Sequence, residues 1–181
     1  MIGSRELAAA PPRDHAMPYN RVDVAMRELI SAFSGLEAAD LVDRLARAAA
    51  AVANTSYAGF VRVDPQREEA RPMYVLVPPG DPLRVRSWLA ESGVLKELAY
   101  AVEPVRLAYD PGVGEPGFLA TPVPALSCDH VYVWVAGRGF CDGDEHLLSR
   151  YAIAAGRALE AASGLEAAVR LLRGVRAFRP A

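Results

Sequence analysis

Residues 118–172 read FLATPVPAL (118–126), SCDH (127–130), VYVWVAGRGF (131–140) and CDGDEHLLSRYAIAAGRALEAASGLEAAVRLL (141–172). Two apolar, strand-like runs flank a four-residue turn, the pattern of a hairpin. Gly137 to Phe140 then turns the chain toward Cys141-Asp142-Gly143-Asp144-Glu145. Carboxylates at that point accept backbone N–H bonds and complement the helix dipole, so a helix starts there. It can run to Leu172, about 45 Å at ~1.5 Å per residue. Leu148, Tyr151, Ala155, Ala158, Ala162, Leu165, Val169 and Leu172 recur along it by three and four, a heptad seam. Gly156 offers a close approach to the sheet, at about 1 kcal/mol of helix propensity relative to Ala.

Upstream, the same reading gives a helix from Asn20 striped by Val22, Met26, Leu29, Phe33 and Leu36, ended by Gly35. A second helix spans Glu37 to Ala53, with Leu41, Leu45, Ala48 and Val52 as its inner face. Tyr57 to Asp64 reads as a half-buried strand and Met73 to Val77 as its hairpin partner. Asp81 is placed as an N-cap with Pro82 at the first helical position, giving a helix to Glu91. Val94 to Ala101 is a short helix and Val105 to Ala108 a short strand. Tyr109 to Gly117, with two Pro and three Gly, reads as a loop before the strand at Phe118.

The 181 residues suit one domain with extended ends: a tail over 1–20, a body over 21–173 and a tail over 174–181. With 52% hydrophobic and 23% charged residues the chain is ordinary for a globular protein. A net charge of −2 gives no electrostatic reason to expect nucleic acid. No apolar run approaches the ~20 residues that span a bilayer, and the N-terminus lacks a secretory pattern. The expectation is a soluble, cytoplasmic protein with Cys128 and Cys141 as free thiols; neither has a metal-ligand spacing.

Four segments in order resemble the GAF domain family. Gly93 to Asp110 (GVLKELAYAVEPVRLAYD) is similar to the family's Gly, short helix, Pro-Val/Leu-Arg-Leu and Asp. Phe118 to Val123 (FLATPV) resembles its "FLGVPV" strand. Phe140 with Asp142, Asp144, Glu145 and Leu148 resembles its "F…DDE…L" helix start, and Ala154 to Glu160 resembles the "AAGIAIENA" of bacterial sensor histidine kinases. The resemblance covers about Leu36 to Leu165. It implies an α+β sandwich: a central antiparallel sheet of about six strands, long N- and C-terminal helices on one face, short helices and loops enclosing a pocket on the other. Family members bind cyclic nucleotides, haem, bilins or small metabolites.

The implied pocket takes its lining from Phe60, Tyr74, Leu76, Trp88, Leu89, Val94, Leu98, Val105, Leu107, Phe118 and Thr121, with Arg106 and Asp110 near its mouth as a solvated pair. Haem in related kinase domains is held by a His just before the "FLGVPV" strand. That loop, residues 109–117, has no His here, which disfavours haem; His15, His130 and His146 lie elsewhere, and no cofactor is expected. Cys128-Asp129-His130 could form a nucleophile set, but a turn explains it more simply. Asp142, Asp144 and Glu145 lack the ligand series of a calcium loop and are explained by capping. Gly112-Val113-Gly114 is too short for a dinucleotide fingerprint.

The expected function is therefore a non-catalytic sensory or regulatory domain. It binds a small molecule or partner and signals in trans through its terminal helices. Val22, Met26, Leu29, Phe33, Leu165, Val169 and Leu172 are the expected homodimer contacts. One alternative is a redox enzyme of the methionine sulfoxide reductase kind using Cys128 or Cys141. Another is a ligand-free interaction and dimerisation module, which an interior filled by side chains would favour.

Overall fold

The computed structural model describes residues 38–64, 66–124 and 130–177, and the side chains of the last helix without break as far as Gly164. The elements in order are α1 (Ala38–Val52), β1 (Tyr57–Asp64), β2 (Glu69–Leu76), α2 (Val85–Glu91), α3 (Val94–Tyr100), β3 (Val105–Asp110), β4 (Glu115–Val123), β5 (His130–Ala136) and α4 (Asp142–Ala177). The strands form one sheet in the order β2-β1-β5-β4-β3, and every neighbouring pair is antiparallel. Five strands stand among the described residues, against the six or so that the resemblance implies.

Strand parity divides the core in two. Ala58, Phe60, Leu119, Val123, Val131, Val133 and Val135 face α1 and α4. Tyr57, Val61, Val63, Phe118, Ala120, Tyr132, Trp134 and Ala136 face α2 and α3. β1 and β5 are thus covered on both sides. This is why YAGFVRVD is buried along most of its length, where alternation suggested one solvent face.

β2 is longer than its apolar run MYVLV because Glu69 to Pro72 continue the pairing. Pro72 has no N–H to donate, and it is tolerated on this edge strand beside the register shift at Phe60/Val61.

The inner face of α1 differs from the expected stripe. Val42, Ala46, Ala49, Ala50 and Ala53 are buried, whereas Ala48 is exposed and Val52 is 41% exposed. Small Ala side chains let the helix backbone approach the sheet, so the bulkier Leu41 and Leu45 take the flank.

Residues 109–117 also differ from the expected loop. β3 continues to Asp110 and β4 begins at Glu115, which leaves a tight turn. Asp110 Oδ1 accepts the Gly112 N–H at 3.0 Å, and Gly114 supplies the positive φ of 79°. Pro116 fits because β4 pairs with β5 only from Phe118 onward, so its missing donor faces no ladder on that side.

Arg84, and not Asp81, stands at the N-cap position of α2; Asp81 still accepts the N–H groups of Val85 at 2.9 Å and Arg86 at 3.0 Å from three residues upstream. The helix nonetheless starts at Val85, three residues later than Pro82 suggests, because an extra turn carries Arg84 at φ 51°.

Candidate functional site

The short-helix side of the sheet holds an aromatic series. The Phe118 ring stacks on Trp134, with centroids 5.9 Å apart and planes at 24°. Trp88 of α2 tilts against the other side of Phe118 at 5.4 Å. Val61, Val85, Leu98, Phe118 and Trp134 are fully buried here, with Leu89 and Val94 at 2%. Trp134 fits because its cross-strand neighbour is Gly59: a β-carbon there would lie 2.6 Å from the indole and 2.2 Å from the Tyr74 carbonyl oxygen. The space between sheet and short helices is therefore occupied by the chain's own side chains.

The expected pocket residues do not line one chamber. Trp88, Leu89, Val94, Leu98, Val105, Leu107 and Phe118 come together on the short-helix side. Phe60, Tyr74 and Leu76 pack instead against α1 and α4, and so face away from it. Thr121 shares the parity of Leu119 and Val123, and its buried hydroxyl has no hydrogen-bond partner among the described residues. The physical reason is the two-residue period of a strand: Phe60 and Val61 on β1 face opposite layers. Tyr74 has a structural partner, donating its hydroxyl to Asp43 of α1. That carboxylate is held below its usual range by Arg47 first and then by Tyr74.

Arg106 and Asp110 are not paired with each other. Arg106 reaches Asp142 at 2.6 Å and Glu145 at 3.8 Å, across to the first turn of α4. Asp110 holds the hairpin turn. Arg138, which the sequence reading passed over, ties three segments together. It forms a two-pronged pair with Asp144 (2.6 and 3.1 Å), donates twice to the Ala53 carbonyl at the end of α1 (2.8 and 3.1 Å), and lies 4.6 Å over the Phe140 ring. Asp144 also accepts the Cys141 N–H at 2.9 Å, the reciprocal half of a capping box. The Arg138 bonds first, and that amide second, hold the Asp144 carboxyl far below its normal range.

Two open clefts border this body. One, of about 500 Å³, lies between the turn leading into α2, α2 itself and the β3–β4 hairpin, with Trp88, Tyr109, Arg84, Glu91 and Glu115 in its walls. Trp88 Nε1 donates to Glu115 Oε2 at 3.0 Å. The other, of about 530 Å³, lies between β3 and the start of α4 and includes Arg106, Phe140, Cys141 and Asp142. The sequence signal for the first cleft was present: Tyr109 and Glu115 flank the turn Asp110-Pro111-Gly112-Val113-Gly114, and reading it as a hairpin brings both side chains to one edge.

His130 and His146 are both exposed, and Cys141 is an exposed free thiol at the α4 entrance. His15 and Cys128 lie outside the described residues, as do Val22, Met26, Leu29 and Phe33. Leu165, Val169 and Leu172 fall on the backbone of α4, with side chains outside the described set. Among the described residues no group of three or more His, Cys, Asp or Glu is arranged to hold a metal. No helix among them is long and apolar enough to cross a membrane.

Comparison with solved structures settles the architecture. The third GAF domain of Slr1393 from Synechocystis sp. PCC6803, in its photoproduct state, superposes with a TM-score of 0.53 at 14% identity over 70% of this chain and 96% of that one. The second GAF domain of DevS from Mycobacterium smegmatis superposes with a TM-score of 0.53 at 15% identity over 72% and 98%. The fold is that of a GAF domain. No family model matches the chain, and no curated protein matches it. The GAF likeness thus rests on architecture and on the short motifs, with little wider sequence identity.

The outer surface of the GAF helix layer is also informative. Tyr151 donates to the Leu45 carbonyl at 2.5 Å, and Arg138 joins Ala53 to Asp144. The two contacts set α1 and α4 antiparallel, with Val52 level with the first turns of α4. On α1, Leu41, Leu45, Ala48 and Val52 recur by four, three and four; on α4, Leu147, Tyr151, Ala154 and Ala158 do the same. The Tyr151–Leu45 bond joins the two stripes at one point, and Val52 is 41% and Leu147 49% exposed.

Proposed function

We propose that this chain is a non-catalytic regulatory module of the GAF kind that works through its helix layer on a second copy of itself. The observation that carries the reading is the exposure of Val52 and Leu147, each on an apolar four-three stripe of α1 or α4 that the Tyr151–Leu45 bond joins. A helix stripe of this kind is buried when a further helix packs over it. On α4 the four-three spacing continues in register to Leu165 and Leu172, so the seam runs past the part of the helix that packs on the sheet.

The filled interior supports the same reading. Trp134, Phe118 and Leu98 occupy the volume where the family resemblance implies a ligand, so a signal is received at a surface. Arg138 couples that surface to the sheet, because it grips the end of α1 and the start of α4 at once. A change in how the helices pair thereby alters strain at one shared clamp. Sedimentation of the full chain with Leu147→Glu and Val52→Glu variants tests the proposal: the unaltered chain sediments as a dimer and the charged variants as monomers.

A further inference from the structure

The cleft between α2 and the β3–β4 hairpin has a chemistry that neither the fold nor the helix layer explains. Its walls carry two aromatic rings, Trp88 and Tyr109, and three charged side chains, Arg84, Glu91 and Glu115. Trp88 is in tilted contact with the buried Phe118 at 5.4 Å and donates from Nε1 to Glu115 at 3.0 Å. The indole and that carboxylate therefore occupy fixed positions before any ligand arrives, which lowers the entropy cost of binding. Glu115 has a second oxygen that accepts no bond among the described residues. Glu91, in the last turn of α2, and Arg84 are exposed and have no ion-pair partner among the described residues.

Carboxylates outnumber guanidinium two to one at this site, beside two aromatic side chains. We infer that the cleft binds a small organic cation: an ammonium or guanidinium group on an apolar stem, with the charge at Glu91 and Glu115 and the stem against Trp88 and Tyr109. Aromatic faces attract such cations through their quadrupole, more strongly when the group is partly removed from water. Arg84 is the opposing charge and limits the affinity. The cleft is open, so binding is weak and sensitive to salt.

The two tryptophans of the chain make this testable in the intact protein. Trp88 edges the cleft and Trp134 is fully buried, so their indole N–H resonances report separately. Choline and n-butylguanidinium are titrated in, with 3,3-dimethylbutan-1-ol as the uncharged isostere of choline. Both cations are expected to shift the Trp88 signal saturably while Trp134 stays in place, and the alcohol to produce no saturable shift. Glu91→Gln weakens the cations about five-fold and Arg84→Ala strengthens them by a similar factor, the size of a partly exposed charge contact. Both substitutions are at exposed positions, and unchanged dispersion of the remaining resonances verifies the fold. An equal response to the alcohol reduces the site to an apolar groove and overturns the inference. So does tighter binding in Glu91→Gln, weaker binding in Arg84→Ala, or no movement of Trp88 with either cation.

Discussion

A β-carbon on Gly156 would stand 2.2 Å from the carbonyl oxygen of Pro124. The backbone of α4 thus lies directly on the end of β4, and the absence of a side chain permits it. Gly164, two turns further along the same helix, has nothing among the described residues within 4 Å of that position.

The two glycines therefore respond oppositely to alanine. Gly164→Ala gains about 1 kcal/mol from helix propensity alone, a rise of about 2–4 °C in melting temperature. Gly156→Ala gains the same propensity but must push a backbone carbonyl aside, and overpacking costs about 1–3 kcal/mol. The expected net result is destabilisation, larger again for Gly156→Val. Thermal melts of the three variants check the signs.

Gly59→Ala is expected to be more damaging. Its methyl group meets the Tyr74 carbonyl oxygen at 2.2 Å and the Trp134 indole at 2.6 Å, and neither can move without opening the sheet. A loss above about 3 kcal/mol follows if both contacts must be relieved. Near-ultraviolet circular dichroism, to which the buried Trp134 contributes, should lose its fixed signal before far-ultraviolet signal is lost.

The Arg138–Asp144 pair gives an acid signature. Asp144 is depressed in the folded chain, so its contribution is fully present above the unfolded carboxylate value of about 3.9 and is lost as pH falls through the folded value. Asp144→Asn is expected to lose about 1.5–3 kcal/mol at neutral pH, the range for hydrogen bonds to charged groups. The gap between native and variant stays constant down to about pH 5 and closes only in stronger acid. Urea unfolding across pH measures it.

Much of this architecture could be read from the chain before any coordinates. Val131 to Ala136 and the acidic start of α4 are unambiguous because strand period and capping chemistry agree there. The placement of α1 was less legible: Ala residues surround the helix, and apolar size alone selects Leu41 and Val52 over the small residues that touch the sheet. The site was less legible still. Phe60, Tyr74 and Leu76 are as apolar as Trp88 and Phe118, and only the pairing register assigns them to opposite layers. Glu91 and Arg84 carry no local signal of a site, because nothing in their own segment reveals that a hairpin from far along the chain borders the same cleft.

Whether the α1–α4 face joins two copies, as we propose, is read by sedimentation equilibrium of the full chain at micromolar concentration. The unaltered protein is expected at twice the chain mass. At least about ten-fold weaker association is expected for Leu147→Glu and Val52→Glu, since charge at the centre of an apolar contact is costly. A monomer at every concentration, or a dimer indifferent to both substitutions, would contradict the proposal.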